Sequence, residues 1–144
     1  MKIIKDILAA KGQEVYTISA DATVYEALSL MAEKNVGALV ILKGEALAGL
    51  ISERDYARKV VLKGKFSKDT PVSEIMTGEP VTVTLDHDLE QCMELMTDKR
   101  VRHLPVVEEG RLIGIISIGD VVKGIIDHKE FIIQQLQRYI KGQH

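Results

Sequence analysis

Gly49-Leu50-Ile51-Ser52-Glu53-Arg54-Asp55 returns 65 residues later as Gly114-Ile115-Ile116-Ser117-Ile118-Gly119-Asp120. The register runs outward from this motif without a gap. Thr17 falls on Thr82, Leu30-Met31 on Leu95-Met96, Val36 on Val101, Leu39 on Leu104 and Leu47 on Leu112. Over positions 17–55, 12 of 39 pairs are identical, where average residue usage would give about two or three by chance. Other pairs exchange one apolar residue for another, such as Ile41 with Val106 and Leu50 with Ile115. A repeat of this length is one supersecondary unit used twice, each copy burying its apolar face against the other. Function is expected where the copies meet.

The elements of the unit follow from its periodicities. Val24, Ala27, Leu28, Met31 and Ala32 have the i, i+3, i+4, i+7, i+8 spacing of an amphipathic helix. Thr23 with Glu26 forms a capping box at its start, and Asp88 with Gln91 matches it in the second copy. The short apolar run Ala38–Leu42 predicts a buried strand, Lys43-Gly44-Glu45 a turn, and Ala46–Ile51 the next strand. Leu104–Val107, Glu108-Glu109-Gly110 and Arg111–Ser117 repeat that order, and helices are expected to begin near Ser52 and Ser117. With a brief β-rich stretch at Tyr16–Ile18, each unit reads β-α-β-β-α, an α/β fold of two pseudo-symmetric repeats packed through their sheets with flanking helices. Met1–Ala10 is a short amphipathic helix, Gly64–Thr70 a polar loop, and Pro71–Met76 a short helix with proline in its first turn. Residues 1–70 are thus expected to hold the N-terminal helix and first repeat, 71–128 the second repeat, and 129–144 a C-terminal amphipathic helix. Phe131, Ile132, Leu136, Tyr139 and Ile140 line one side of that tail. The stripe either closes the domain's own core or pairs with a second subunit.

Composition excludes several classes. A chain of 144 residues with 46% hydrophobic content suits one compact domain with a shared core. Net charge is −2 with both signs interspersed, so neither a nucleic-acid footprint nor a polybasic membrane surface is expected. The single Cys92 excludes an internal disulfide, and the histidines at 87, 103, 128 and 144 form no metal-ligand spacing with it. The longest apolar run, Val36–Leu42, is far below the roughly 20 residues that span a bilayer. Lys5 and Asp6 interrupt the N-terminal apolar residues, against a secretory signal, and a cytoplasmic location is expected.

Ser52-Glu53-Arg54-Asp55 supports two readings at once. Ser-x-x-Asp is itself a helix cap, in which both side chains satisfy free N–H groups. Gly49, bare backbone inside a strand, suggests close approach by a ligand or another chain. A helix N-terminus attracts anions, a serine hydroxyl can donate to phosphate, and a carboxylate one turn later can accept from ribose hydroxyls. Arg54, Arg58 and Lys59 add charge suited to phosphate.

Over about Val15 to Val122 the chain resembles a tandem pair of cystathionine-β-synthase-type (CBS) domains, the module that binds adenine nucleotides. The resemblance rests on Gly-apolar-apolar-Ser-x-x-Asp occurring twice in register and on Val101-Arg102-His103-Leu104-Pro105-Val106-Val107. It implies two clefts between the repeats. The first would join Ser52, Arg54, Asp55 and Arg58 to Thr82, Val83, Arg102, His103, Leu104 and Pro105. The second would join Ser117, Gly119 and Asp120 to Thr17, Ile18, Gly37, Ala38 and Leu39. By the same resemblance Asp55 and Asp120 would hold ribose, Ser52 and Ser117 would face phosphate, and Thr17 and Thr82 would line adenine pockets.

The clefts are chemically unequal. Glu53-Arg54 and Arg102-His103 in the first correspond to Ile118-Gly119 and Gly37-Ala38 in the second, so a phosphorylated ligand should prefer the first. The expected function is reversible, non-catalytic sensing of AMP, ATP or NAD (S-adenosylmethionine shares the adenosine) by a homodimer acting on an unidentified target protein. An enzyme would need a nucleophile with its base, or a metal cluster, converging on one cleft, and Cys92 falls on the apolar face of a helix instead. The alternative is a ligand-free dimerisation or docking scaffold, which the apolar tail favours.

Overall fold

The computed structural model describes residues 2–12 and 14–142. Its elements are α1 (Ile4–Lys11), β1 (Thr17–Ser19), α2 (Val24–Lys34), β2 (Ala38–Lys43), β3 (Ala46–Ser52), α3 (Glu53–Tyr56), β4 (Thr77–Gly78), α4 (Leu89–Lys99), β5 (His103–Glu108), β6 (Arg111–Ser117) and α5 (Ile118–Gly142). The two capping boxes form as the sequence predicts. The Thr23 hydroxyl accepts from Glu26 N at 3.1 Å, and the Asp88 carboxylate accepts from Gln91 N at 2.8 Å. α2 then buries Val24, Ala27 and Met31, while α4 buries Leu89, Cys92 and Met96 at the equivalent positions.

The β-hairpins are superimposable in register. β2 pairs antiparallel with β3, Ala38 opposite Ser52, and β5 with β6, His103 opposite Ser117. Even the irregularity recurs at one step, between Ile41 and Leu42 and between Val106 and Val107. One difference has a covalent cause. β1 runs parallel to β2, with Val40 N donating to Tyr16 O at 3.2 Å. The second repeat has Pro105 at that place, which lacks an N–H, and a single bridge between Val83 and Val106 stands where the strand would be.

The flanking segments are exchanged between the repeats. Thr70 O accepts from Val24 N and Val72 N donates to Ala22 O, both at 2.8 Å, which fastens residues 70–76 to the first repeat. Lys2 O accepts from Leu89 N at 3.2 Å and Ile4 N donates to His87 O at 2.9 Å, which fastens the N-terminal segment to the second. Val72 and Ile75 accordingly belong to the first core, while Ile4, Ile7 and Leu8 belong to the second. α1 therefore precedes the first repeat in sequence and packs in the second.

The same exchange explains two glycines. A Cβ on Gly49 would lie 2.6 Å from Thr77 O and 2.8 Å from Met76 Sδ, and one on Gly114 would lie 2.9 Å from Leu8. The close approach expected at Gly49 is thus made by the chain's own flank, paired as β4 on β3, rather than by a ligand.

After β3, the four residues of α3 pass into a wide turn over Ala57–Val61 in which Leu62 N reaches Ala57 O at 3.2 Å. After β6, no such break occurs. α5 continues for 25 residues, so the helix after Ser117 and the C-terminal helix are one. Its outer residues Phe131, Leu136, Tyr139 and Ile140 are all more than half exposed, so the tail does not close this chain's core. Among the described residues, no helix is long and apolar enough to cross a membrane.

Gly49→Ala should cost about 1–3 kcal/mol, because β4 backbone must move to admit the methyl. Gly114→Ala should cost less, since the flexible end of Leu8 can yield. Urea unfolding of both variants measures this, and the opposite order would contradict the exchange.

Candidate functional site

A cavity of about 800 Å³ opens along the seam between the repeats. The first repeat contributes the start of β2, at Gly37-Ala38, and the residues leaving β3, from Ser52 to Lys59. The second contributes its entry segment at Pro80-Val81 and the start of β5, at Arg102-His103. Six basic side chains line it, Arg54, Arg58, Lys59, Lys99, Arg100 and Arg102, against the acidic Glu53, Asp55 and Glu79. That excess of positive charge in a concave, partly apolar seam is suited to an anion carrying an apolar group.

Ser52 and Asp55 form the cap with one of the two Asp55 carboxylate oxygens. Asp55 Oδ2 accepts from Ser52 N at 2.9 Å and from Ser52 Oγ at 3.1 Å, and Ser52 Oγ in turn accepts from Asp55 N at 3.2 Å. Asp55 Oδ1 is left to a neighbouring Lys59, whose Nζ lies 3.2 Å away and also donates to Ile75 O at 3.0 Å. One oxygen thus holds the helix while the other pairs with Lys59 at the cavity wall.

The second repeat builds the same cap differently. Ser117 N donates to Asp120 Oδ2 at 2.9 Å and Ser117 Oγ accepts from Asp120 N at 3.1 Å. Asp120 Oδ2 also receives Lys11 Nζ at 2.6 Å, a partner from α1. Burial alone would raise the Asp120 carboxyl, but the hydrogen bonds from Lys11 and Ser117 outweigh it and hold the carboxyl below its ordinary value. The larger cavity reaches Asp55 and does not reach Asp120.

Of the residues expected at the first cleft, Ser52, Arg54, Asp55, Arg58, Arg102 and His103 share this cavity. Val83 and Leu104 are buried in the second core, Pro105 is buried beside them, and Thr82 lines neither cavity described here. Of those expected at the second, Gly37 and Ala38 open onto the first cavity, and Leu39 is fully buried with Ile18 packed against the same core. Gly119 is exposed beside Ser117. Thr17 lines a different cavity of about 590 Å³ near the hairpin turns, with Glu45 and Arg111.

Lys99 and Arg100 were not legible as site residues. They end α4, where Arg100 takes the left-handed region at φ 56°, the place its repeat counterpart Asn35 holds at φ 55°. Asparagine tolerates that conformation better than arginine, and this mismatch is the signal that marks the position. Cys92 is inert by environment. Burial, with the Asp88 charge adding to it, pushes its thiol up to about 11. Among the described residues, no group of three or more His, Cys, Asp or Glu side chains is arranged to hold a metal ion.

Two matching α/β units with exchanged flanks define a paired-repeat module with a basic cavity between its halves. The family pattern of the CBS domain matches residues 4–62 and 72–127, and the chain belongs to the CBS-domain family. It is 44% identical over 148 residues to the mitochondrial CBS domain-containing protein CBSX3 of Arabidopsis thaliana, covering 96% of this chain and 72% of that one. A solved CBS-domain protein from Burkholderia ambifaria is 49% identical, with a TM-score of 0.85 over 88% of this chain and 95% of the other. A crystal structure of CBSX2 in complex with AMP is 27% identical, with a TM-score of 0.73 over 90% of this chain and 99% of that chain.

His103 reports on the seam. Burial lowers its pKa, the Asp120 charge works against that, and Lys11 and Arg102 lower it further. The folded protein therefore resists protonation of His103, so stability is full above the ordinary value of 6.5 and falls as pH drops below it. His103→Gln should flatten the fall in melting temperature between about pH 7.5 and pH 5.5. An unchanged slope would show that other groups set it.

Proposed function

We propose that this chain is a non-catalytic regulatory module that binds an adenine nucleotide, AMP, ATP or a nicotinamide dinucleotide, at the first cleft. The observation that carries the assignment is the gathering of six basic side chains with Asp55 in one seam cavity. Asp55 Oδ1 is placed to accept from ribose hydroxyls, and Ser52 with Arg54, Arg58 and Arg102 would meet phosphate. Gly37-Ala38 and Pro80-Val81 offer small or apolar walls to a purine. The AMP bound by CBSX2 supports the same ligand class here.

A second feature favours self-association. The exposed α5 stripe of Phe131, Ile132, Leu136, Tyr139 and Ile140 is a continuous apolar face of the kind that marks an interface. A homodimer built on it would present the nucleotide clefts of two chains to an unidentified target protein. The scaffold reading needs only this helix and leaves the basic seam without a role.

AMP, ATP and NAD, each at a hundred times its dissociation constant, should stabilise the protein by about 2.7 kcal/mol in thermal melting. No shift with any of the three would favour the scaffold. Asp55→Ala removes charge-assisted hydrogen bonds worth about 1.5–3 kcal/mol, so affinity should fall roughly ten- to hundred-fold. Asp120→Ala should weaken the tightest ligand less, and equal losses would contradict the ranking of the clefts. Leu136→Asp should convert a dimer to a monomer in sedimentation equilibrium, and a dimer that survives would place the interface elsewhere.

A further inference from the structure

We infer that Lys11 is a built-in plug of the second cleft: its ammonium occupies the Asp120 carboxylate that a second nucleotide would need, so one chain carries one nucleotide. This rests on the nucleotide reading above and adds what decides how many of the two repeats can act.

The repeat makes Asp55 and Asp120 equivalent, and both have a lysine, but the two lysines are held differently. Lys59 comes from the turn following Asp55, four residues on; its side chain is 45% exposed, and its Nζ lies 3.2 Å from Asp55 Oδ1 while donating to Ile75 O at 3.0 Å. In the second repeat that position is Gly124. A Cβ there would lie 2.6 Å from the end of Leu89 and 2.9 Å from the end of Ile7, so a side chain on α5 at that place would have to push both aside. The ammonium instead arrives from α1, 109 residues away in sequence.

α1 is not free to withdraw it. Ile4 and Leu8 are buried in the second core, Leu8 seats against Gly114, and Gly12 N closes the helix on Leu8 O at 2.8 Å. From that fixed base Lys11 Nζ binds Asp120 Oδ2 at 2.6 Å and Ile115 O at 3.0 Å. Two acceptors hold the ammonium, and its 2.6 Å contact with Asp120 is shorter than the 3.2 Å between Lys59 and Asp55. A ribose at Asp120 must displace a lysine that a buried helix holds at 2.6 Å, whereas at Asp55 it meets the longer 3.2 Å contact of a lysine carried by a turn.

Native mass spectrometry and calorimetry with AMP and with ATP test the plug. Wild type should bind one nucleotide per chain, with any second event at least about tenfold weaker. Lys11→Met should bind two, and the double variant Lys11→Met/Asp120→Asn should return to one. Two equal sites in wild type, or one site in a folded Lys11→Met protein, would overturn the inference. Lysine acylation followed by peptide mapping gives a readout independent of nucleotide. Held in its ion pair, Lys11 should react more slowly than Lys63 and Lys123, which are exposed likewise but lie outside that pair, and Asp120→Asn should bring it to their rate. Equal rates in wild type would overturn the plug even if no variant folds. Wild type that binds neither nucleotide defeats the functional reading, and the acylation rates then decide the plug alone.

Discussion

Each repeat carries a glycine at the middle of its second hairpin strand, and that bare backbone admits the segment that precedes the other repeat. Leu8 seats on Gly114, and Met76 with Thr77 on Gly49. Neither half can complete its core from its own residues, because Val72 and Ile75 finish the first and Ile4, Ile7 and Leu8 the second. Burying each such side chain contributes about 1.5–3 kcal/mol, and all of it depends on the exchange. The halves are thereby held in one relative position, and the seam between them acquires a fixed shape.

Within that shape the helix caps and the site are the same atoms. A Ser-x-x-Asp cap uses one carboxylate oxygen to satisfy backbone N–H, which fixes the other oxygen's direction without engaging it. At Asp55 that second oxygen meets Lys59, from the following turn, at the wall of a basic cavity. At Asp120 the capping oxygen itself is also bonded to Lys11, from the exchanged helix. A duplicated motif has thus been placed in two electrostatic settings by its neighbours, and a pseudo-symmetric fold gives unequal clefts.

The wide turn over Ala57–Val61 and the uninterrupted α5 show the same divergence in backbone form. The first repeat ends its last helix early and turns into a polar loop, whereas the second extends the helix by several turns beyond the core. That extension leaves an apolar stripe in solvent.

Local chemistry was legible in the letters. The 65-residue repeat, both capping boxes, the hairpins with their common register and the helix periodicities all follow from neighbouring residues. So did the convergence of Arg54, Arg58 and Arg102 near Ser52 and Asp55, because the repeat and the family resemblance supplied the pairing between halves. The exchanged flanks, the approach at Gly49, the entry of Lys99 and Arg100 into the cavity and the bond from Lys11 to Asp120 were decided only by the tertiary structure. The physical reason is range. Caps and periodicity act over a few residues and are written in sequence order, while a contact spanning 109 residues depends on how two finished cores are set against each other.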